Sequence, residues 1–151
     1  MVDLDAPSGS SNNSLSPLLH WLTPLPAGST SLPGNQSQTS PQAAAPYAGP
    51  QQPPGSGRHR YVTILLSNPA MNFTWPAKWQ GFNPAAIEDR FVFNVKEFVD
   101  EGGYRVLGAN WFTTENITSV GDSGAGRVVG WRVGYAAVVV AGLAAGLVAL
   151  L

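Results

Sequence analysis

Residues 133–151 form a run of nineteen residues without one charged side chain, drawn mainly from Val, Ala, Leu and Gly. So uniform a run suits a lipid bilayer, or exchange with a lipid anchor, better than a water-soluble fold. At 1.5 Å per residue a helix of this length reaches roughly 28 Å, close to the hydrocarbon thickness of a bilayer. Arg127 and Arg132 precede it. Two arrangements fit. One is a retained C-terminal transmembrane helix. The other is a glycosylphosphatidylinositol attachment signal, which needs small residues, a polar spacer and a terminal apolar run. Ser123 lies in the small triplets Asp122-Ser123-Gly124 and Ser123-Gly124-Ala125, at a suitable distance, and is the candidate anchor residue. Gly142 and Gly146 make a G-x-x-x-G pair, a pattern that an Ala- and Gly-rich stretch produces cheaply.

The remaining chain has room for one domain. Its eight basic and nine acidic residues nearly balance, so no nucleic-acid partner is implied. The absence of cysteine excludes disulfides and thiolate chemistry. Composition divides the chain into an N-terminal part to residue 25, a Ser-, Gln- and Pro-rich stretch at 26–46, a folded heart at 47–115, a small-residue spacer at 116–132 and the apolar tail. The stretch at 26–46 shows neither helix nor strand period and too little apolar surface to offset its ordering entropy, so it reads as a flexible insertion in a domain spanning 1–115.

Four N-glycosylation sequons begin at Asn12, Asn35, Asn72 and Asn116. Nine asparagines at this Ser and Thr frequency give about one or two by chance, so four is an excess. It favours a lumenal or cell-surface body with a lipid anchor over a permanent span. The opening Met1-Val2-Asp3-Leu4-Asp5 has none of the features of a secretory signal peptide. Either the chain is cytosolic or its N-terminus is incomplete.

Within the heart, residues 61–66 are β-branched and aromatic between Gly57 and Asn68-Pro69, which predicts a buried strand. Residues 90–93 predict a shorter strand or strand end. Asn94 as N-cap, Glu97 as its capping-box partner and Gly102-Gly103 as the stop predict a helix. Its Val95, Phe98 and Val99 fall on one face, for packing against a sheet. Residues 106–113 predict a last strand.

Two clusters carry possible chemistry. One is Asp3 and Asp5 with Pro7, followed downstream by His20-Trp21. The other is Pro53-Pro54-Gly55-Ser56-Gly57-Arg58-His59-Arg60-Tyr61, where a glycine-rich turn delivers a histidine to a strand. Such a turn lets backbone N–H groups approach a small anion, to which His and Arg add donors and charge. Bland readings stand beside these: Asp-x-Asp as a turn, His20 as a satisfied core histidine, Arg60 as a structural ion pair. Two histidines without ligand spacing make a poor metal site. The chain has no Gly-x-Ser-x-Gly elbow and no phosphate-loop lysine, so the residues argue weakly for an enzyme.

The order of the pieces says more. Asp3-Leu4-Asp5-Ala6-Pro7-Ser8, His20-Trp21-Leu22, Tyr47-Ala48-Gly49-Pro50, Pro53-Pro54, Gly57-Arg58-His59-Arg60-Tyr61-Val62, Arg90-Phe91, Phe93-Asn94-Val95 and Gly108-Ala109-Asn110-Trp111-Phe112 together resemble the phosphatidylethanolamine-binding protein family. The resemblance implies a mainly β fold, an antiparallel Greek-key sandwich with a short helix, to which the tail would add a C-terminal hydrophobic helix. It implies a non-enzymatic module with a pocket for a phospholipid head group or other small anion, and no cofactor or metal. Regulatory docking on a protease or kinase is the alternative. On the matching positions, Asp3, Pro7, His20, Pro54, His59 and Tyr61 are the implied ligand-binding residues. His20 and His59 would donate to the anion, and Asp3 would orient one of them. Asp5, Arg60 and Trp111 are secondary candidates. Three departures stand out: Leu4 where proline is usual, the insertion before Tyr47, and a tail in place of the closing C-terminal helix. Family members carry strands ahead of the Asp-x-Asp-x-Pro motif, so this chain is expected to lack part of its sandwich and to fold poorly without its tail.

Overall fold

The computed structural model describes residues 1–25, 43–70, 72–116 and, as backbone pairing only, 147–150. A six-stranded antiparallel sheet dominates them. Its axis is β4 (Arg58–Ser67), the strand predicted from its β-branched run and now seen to begin at the basic residues before it. Along its first residues β4 alternates: Arg58 and Arg60 are exposed, His59 and Tyr61 buried. That is the two-residue period of a strand with one wet face, and it sends the histidine and the tyrosine inward together.

On one side β4 pairs along its whole length with β5 (Arg105–Glu115), from Arg58 opposite Glu115 to Ser67 opposite Arg105, with a register shift between Leu65 and Leu66. On its other side the first half takes the two-residue β1 (Val2–Asp3), with Val2 opposite Val62 and Asp3 opposite Tyr61. β1 in turn pairs with β2 (Leu18–Leu19). β3 (Thr23–Leu25) follows, and Leu22 just before it makes an isolated bridge to Ala45. Ala45 is fully buried, so the expected insertion at 26–46 ends earlier than its composition implied, with its far end tied into the core. Residues 26–42 lie outside the described residues.

The second half of β4 and the edge of β3 are both filled by β6 (Leu147–Leu150). The tail was expected to be a hydrophobic helix; where it is described, it is a strand instead. Two open strand edges present rows of unpaired N–H and C=O groups, and an extended Leu-Val-Ala-Leu segment satisfies both at once. Residues 117–146 and 151, including Ser123 and the rest of the tail, lie outside the described residues. Among those described, no helix is long and apolar enough to cross a membrane.

The core sits on one face of the sheet, under the one α-helix among the described residues. Val2, Leu19, Leu22, Ala45, Leu66, Trp79, Phe93, Phe98 and Tyr104 form one buried cluster. α1 (Val95–Glu101) supplies Phe98, which is fully buried with its ring 5.5 Å from Trp79, 5.3 Å from Phe93 and 5.2 Å from Tyr104. Val95 and Val99 flank it, as their spacing predicted. The Asn94 side chain accepts the Glu97 N–H at 3.1 Å and caps the helix. The reciprocal half of the capping box is not made, because the Glu97 carboxylate pairs with Lys78 instead.

The strand expected at 90–93 is absent. Glu88–Arg90 is a turn of 3-10 helix, and Val92 adopts φ of 54°. The backbone N–H groups of Val92 and Phe93 donate to the Leu15 and Pro17 carbonyls, at 3.2 and 2.8 Å, and not to a continuing ladder. What diverts the chain is Arg90, whose side chain is drawn inward.

Candidate functional site

Asp3 stands directly opposite Tyr61 across the β1–β4 pair, which also puts it diagonal to His59 on the same face. Asp3 Oδ2 accepts the His59 Nδ1–H bond at 2.7 Å, while its Oδ1 accepts the Asp5 N–H at 2.8 Å. The other nitrogen of His59, Nε2, then carries the lone pair. It accepts the Gly9 N–H at 3.2 Å and the Ser56 hydroxyl at 3.0 Å. His59 is therefore engaged at both ring nitrogens by the protein itself and is 1 % exposed. Gly9 makes this possible: at φ of 63° it brings its amide against the β4 approach, and a Cβ there would lie 2.6 Å from the Ser56 carbonyl oxygen.

Asp5 is a support. Its carboxylate accepts the Arg60 N–H at 2.9 Å and Arg60 Nε and Nη2 at 2.7 Å each. The Arg60 side chain beside it holds the Asp5 carboxyl below its usual range, against the opposing effect of burial. The fork clamps the Asp3–Asp5 turn onto β4, while Arg60 itself faces solvent. The ion-pair reading of Arg60 is the one the geometry supports.

His20 follows β2. Its Nδ1–H donates to the Ala48 carbonyl at 2.7 Å, which fixes the tautomer: Nε2 is a bare acceptor, and it has no partner. Burial holds the His20 pKa below that of a free imidazole. Tyr61 meets His20 edge-on, with ring centroids 5.1 Å apart, and stacks on Phe112 at 5.1 Å. The Tyr61 hydroxyl lies near Asp3 and Thr114 but completes a hydrogen bond to neither. Burial, and then the Asp3 charge, push its pKa up, so it keeps its proton and is a hydrogen-bond donor at every physiological pH.

These groups floor a cavity of about 210 Å³. Of the expected residues Asp3, Pro7, His20, His59 and Tyr61 line it, and Pro54 does not; its neighbour Pro53 takes that place. Pro54 faces solvent. Trp111 is 52 % exposed and pairs with Val62 on the opposite face from Tyr61, whose cross-strand partner is Phe112. The β5 aromatic that supports the site is thus one residue further along than expected. The walls add Leu18, Ile87 and Phe91, with Gln51 and Gln52 at the rim. Apolar walls over a polar floor fit an amphiphile with a small charged end.

Arg90 is the functional residue least visible in the sequence. It is 4 % exposed and donates Nε to Pro84 O at 2.6 Å, Nη1 to Pro46 O at 2.7 Å and His20 O at 3.4 Å, and Nη2 to Pro84 O. One guanidinium thus staples three wall segments through their carbonyls. Among the described residues it forms no ion pair, so its charge stands uncompensated behind His20.

Ser56, His59 and Asp3 have the hydrogen-bond order of a catalytic triad. Two features set them apart from one. The lone pair that would take the serine proton is shared with the Gly9 N–H, and Ser56 is not on the cavity wall. The three serve to fix the floor. Among the sequons, Asn12, Asn72 and Asn116 are exposed, and Asn116 Nδ2 donates to Gln52 O at 3.2 Å. Asn35 lies outside the described residues. The described residues contain no group of three or more His, Asp or Glu placed to hold a metal ion.

The model of the phosphatidylethanolamine-binding protein family matches residues 1–101. The chain belongs to that family. Fold and membership agree: this is a small binding-type domain, mainly antiparallel sheet with little helix. It is similar to the phomoidride biosynthesis cluster protein N of Fungal sp. (strain ATCC 74256), 32 % identical over 97 residues, which are 64 % of this chain and 43 % of that protein. The matched region thus spans less than half of this curated relative. No solved structure matches the chain.

Proposed function

We propose that the chain is a non-enzymatic binding module whose pocket takes a small organic anion of the phospholipid head-group type. The observation that carries this reading is a pair of buried polar atoms without partners, His20 Nε2 and Tyr61 Oη, on the floor of one cavity. Native proteins satisfy nearly all such atoms, and each one left bare costs about 1–3 kcal/mol. Two of them on residues that line one cavity mark it as the place for a guest with polar atoms of its own. Its apolar part would lie along Pro7, Leu18, Ile87 and Phe91.

Attachment to a membrane through residues 133–151 completes the proposal, with the exposed sequons Asn12, Asn72 and Asn116 supporting a cell-surface location. Anchoring and the β6 pairing compete for the same four residues, so an anchored molecule would leave the β3 and β4 edges open.

A second reading, docking on a protease or kinase, is favoured by the exposed Trp111 and Val106 on β5, away from the pocket. Calorimetric titration of the full chain with phosphorylethanolamine, repeated on Tyr61→Phe, separates the two. Saturable binding weakened by the substitution supports the pocket. Absence of binding by folded protein leaves the docking surface as the function.

A further inference from the structure

We propose that the pocket takes its anion together with one proton, which lodges between the ligand and His20 Nε2. The inference rests on the proposed anion site and specifies the ligand's protonation state. It follows from how the hydrogens on the cavity floor are distributed. The His20 Nδ1–H is committed to the Ala48 carbonyl at 2.7 Å. Nε2 therefore offers a lone pair, which repels an oxyanion unless a proton stands between them. His59 supplies no proton, because Nδ1–H serves Asp3 and Nε2 accepts from Gly9 and Ser56. Among the buried side chains of the described residues, Tyr61 Oη is the unpartnered donor.

The charges around His20 set the direction. From β1 it faces the Asp3 carboxylate, from Met1 ahead of β1 an amine whose own pKa burial lowers, from the turn at Glu88–Arg90 the Arg90 guanidinium, and from β4 the rings of His59 and Tyr61. Burial above all disfavours a cationic His20, with smaller contributions from the terminal amine and Arg90, whereas the Ala48 hydrogen bond and the Asp3 carboxylate favour it. With no anion beside it, burial prevails. A bound anion adds a negative charge next to Nε2 and reverses the balance. The site therefore selects either a monoanion that still carries an acidic O–H, such as a phosphate monoester in its singly charged form, or a strong-acid anion with a proton drawn from solvent.

The test needs a probe that does not itself titrate. 2-Aminoethyl sulfate, an isostere of phosphorylethanolamine, stays fully ionised across the range. Calorimetry on the full chain from pH 5 to 8 should show its affinity falling about tenfold per unit as pH rises above the pKa of the free His20, the slope expected for uptake of one proton. Repetition in buffers of different ionisation enthalpy should report uptake of one proton per anion. In His20→Gln, whose amide donates without titrating, binding should weaken and the affinity that is left should no longer change with pH. Tyr61→Phe should weaken binding and keep the slope. An affinity for the sulfate that does not change with pH in the native chain overturns the proposal and leaves the anion site standing. Failure of the native chain to bind either anion at any pH overturns both.

Discussion

His59 Nδ1 lies 2.7 Å from Asp3 Oδ2, a bond that joins β4 to β1 across 56 positions of sequence. It holds two strands whose pairing otherwise rests on two residues of β1. The same bond dictates which ring nitrogen of His59 can accept from Gly9 and Ser56, so geometry and tautomer are set together.

Asp3→Ala removes the acceptor and leaves the His59 Nδ1–H and Asp5 N–H groups buried without partners. The expected loss is about 2–4 kcal/mol of unfolding free energy, from one to two buried donors at about 1–3 kcal/mol each, partly relieved by water. Chemical denaturation of the variant beside the native chain checks this. A loss below about 1 kcal/mol would mean that the bond does not hold β1 in place.

Tyr61→Phe should act oppositely on stability and on binding. The hydroxyl is buried without a partner, so its removal leaves the unfolding free energy unchanged or raises it by up to about 1 kcal/mol. Affinity for phosphorylethanolamine should fall about fivefold to tenfold, the worth of one hydrogen bond to a charged group. Thermal melts and calorimetry on one preparation read both.

Stability should decline on acidification in two windows. His20 has a folded pKa lowered from 6.5 by burial, so below about 6.5 the unfolded chain binds the proton first and the folded state loses ground. Asp5 has a folded pKa lowered from 3.8, chiefly by Arg60. Its contribution is present above the unfolded value and is lost as pH falls through the folded one. Each of these side chains should therefore add its own drop in melting temperature, His20 below about 6.5 and Asp5 below about 3.8. His20→Gln should remove the first drop and spare the second.

Val92 holds φ of 54° and is 60 % exposed. A β-branched residue is strained in the left-handed region, by about 1–2 kcal/mol, whereas asparagine adopts it readily. Val92→Asn should raise the unfolding free energy by about 1 kcal/mol. An unchanged or lowered value in urea denaturation would contradict the backbone conformation given for this turn.

Removal of residues 133–151 takes β6 from the edges of β3 and β4. The shortened chain should lack a cooperative thermal transition followed by near-ultraviolet circular dichroism. A sharp transition in it would show that the sheet closes without the tail.

Local signals carried much of this fold. The alternation Arg58-His59-Arg60-Tyr61 sets which side chains face inward, and the Asn94 cap with its Gly102 stop bounds α1 within a residue. The five floor and wall residues of the cavity were named by motif order, which a single spacing does not supply. What stayed hidden depends on contacts distant in sequence. Arg90 looked like a strand residue because nothing near it shows that three loop carbonyls converge on its guanidinium. The acceptor role of His20 depends on the Ala48 carbonyl, and backbone groups carry no residue signature. Phe112 replaces Trp111 because a shift of one residue reverses the face of a strand, and Pro53 replaces Pro54 because the chain turns at Pro54-Gly55. The tail was read from hydropathy alone, which cannot tell a bilayer from two unpaired strand edges.

The most direct test of the anion pocket is the nitrogen-15 chemical shift of His20 Nε2 in the full chain, followed as phosphorylethanolamine is added near pH 7. The account predicts that Nε2 moves from the unprotonated toward the protonated shift in saturable fashion, while the His59 resonances keep the Nδ1–H tautomer. Saturable binding that shifts other residues and leaves His20 Nε2 and Tyr61 unperturbed would place the ligand elsewhere and contradict it.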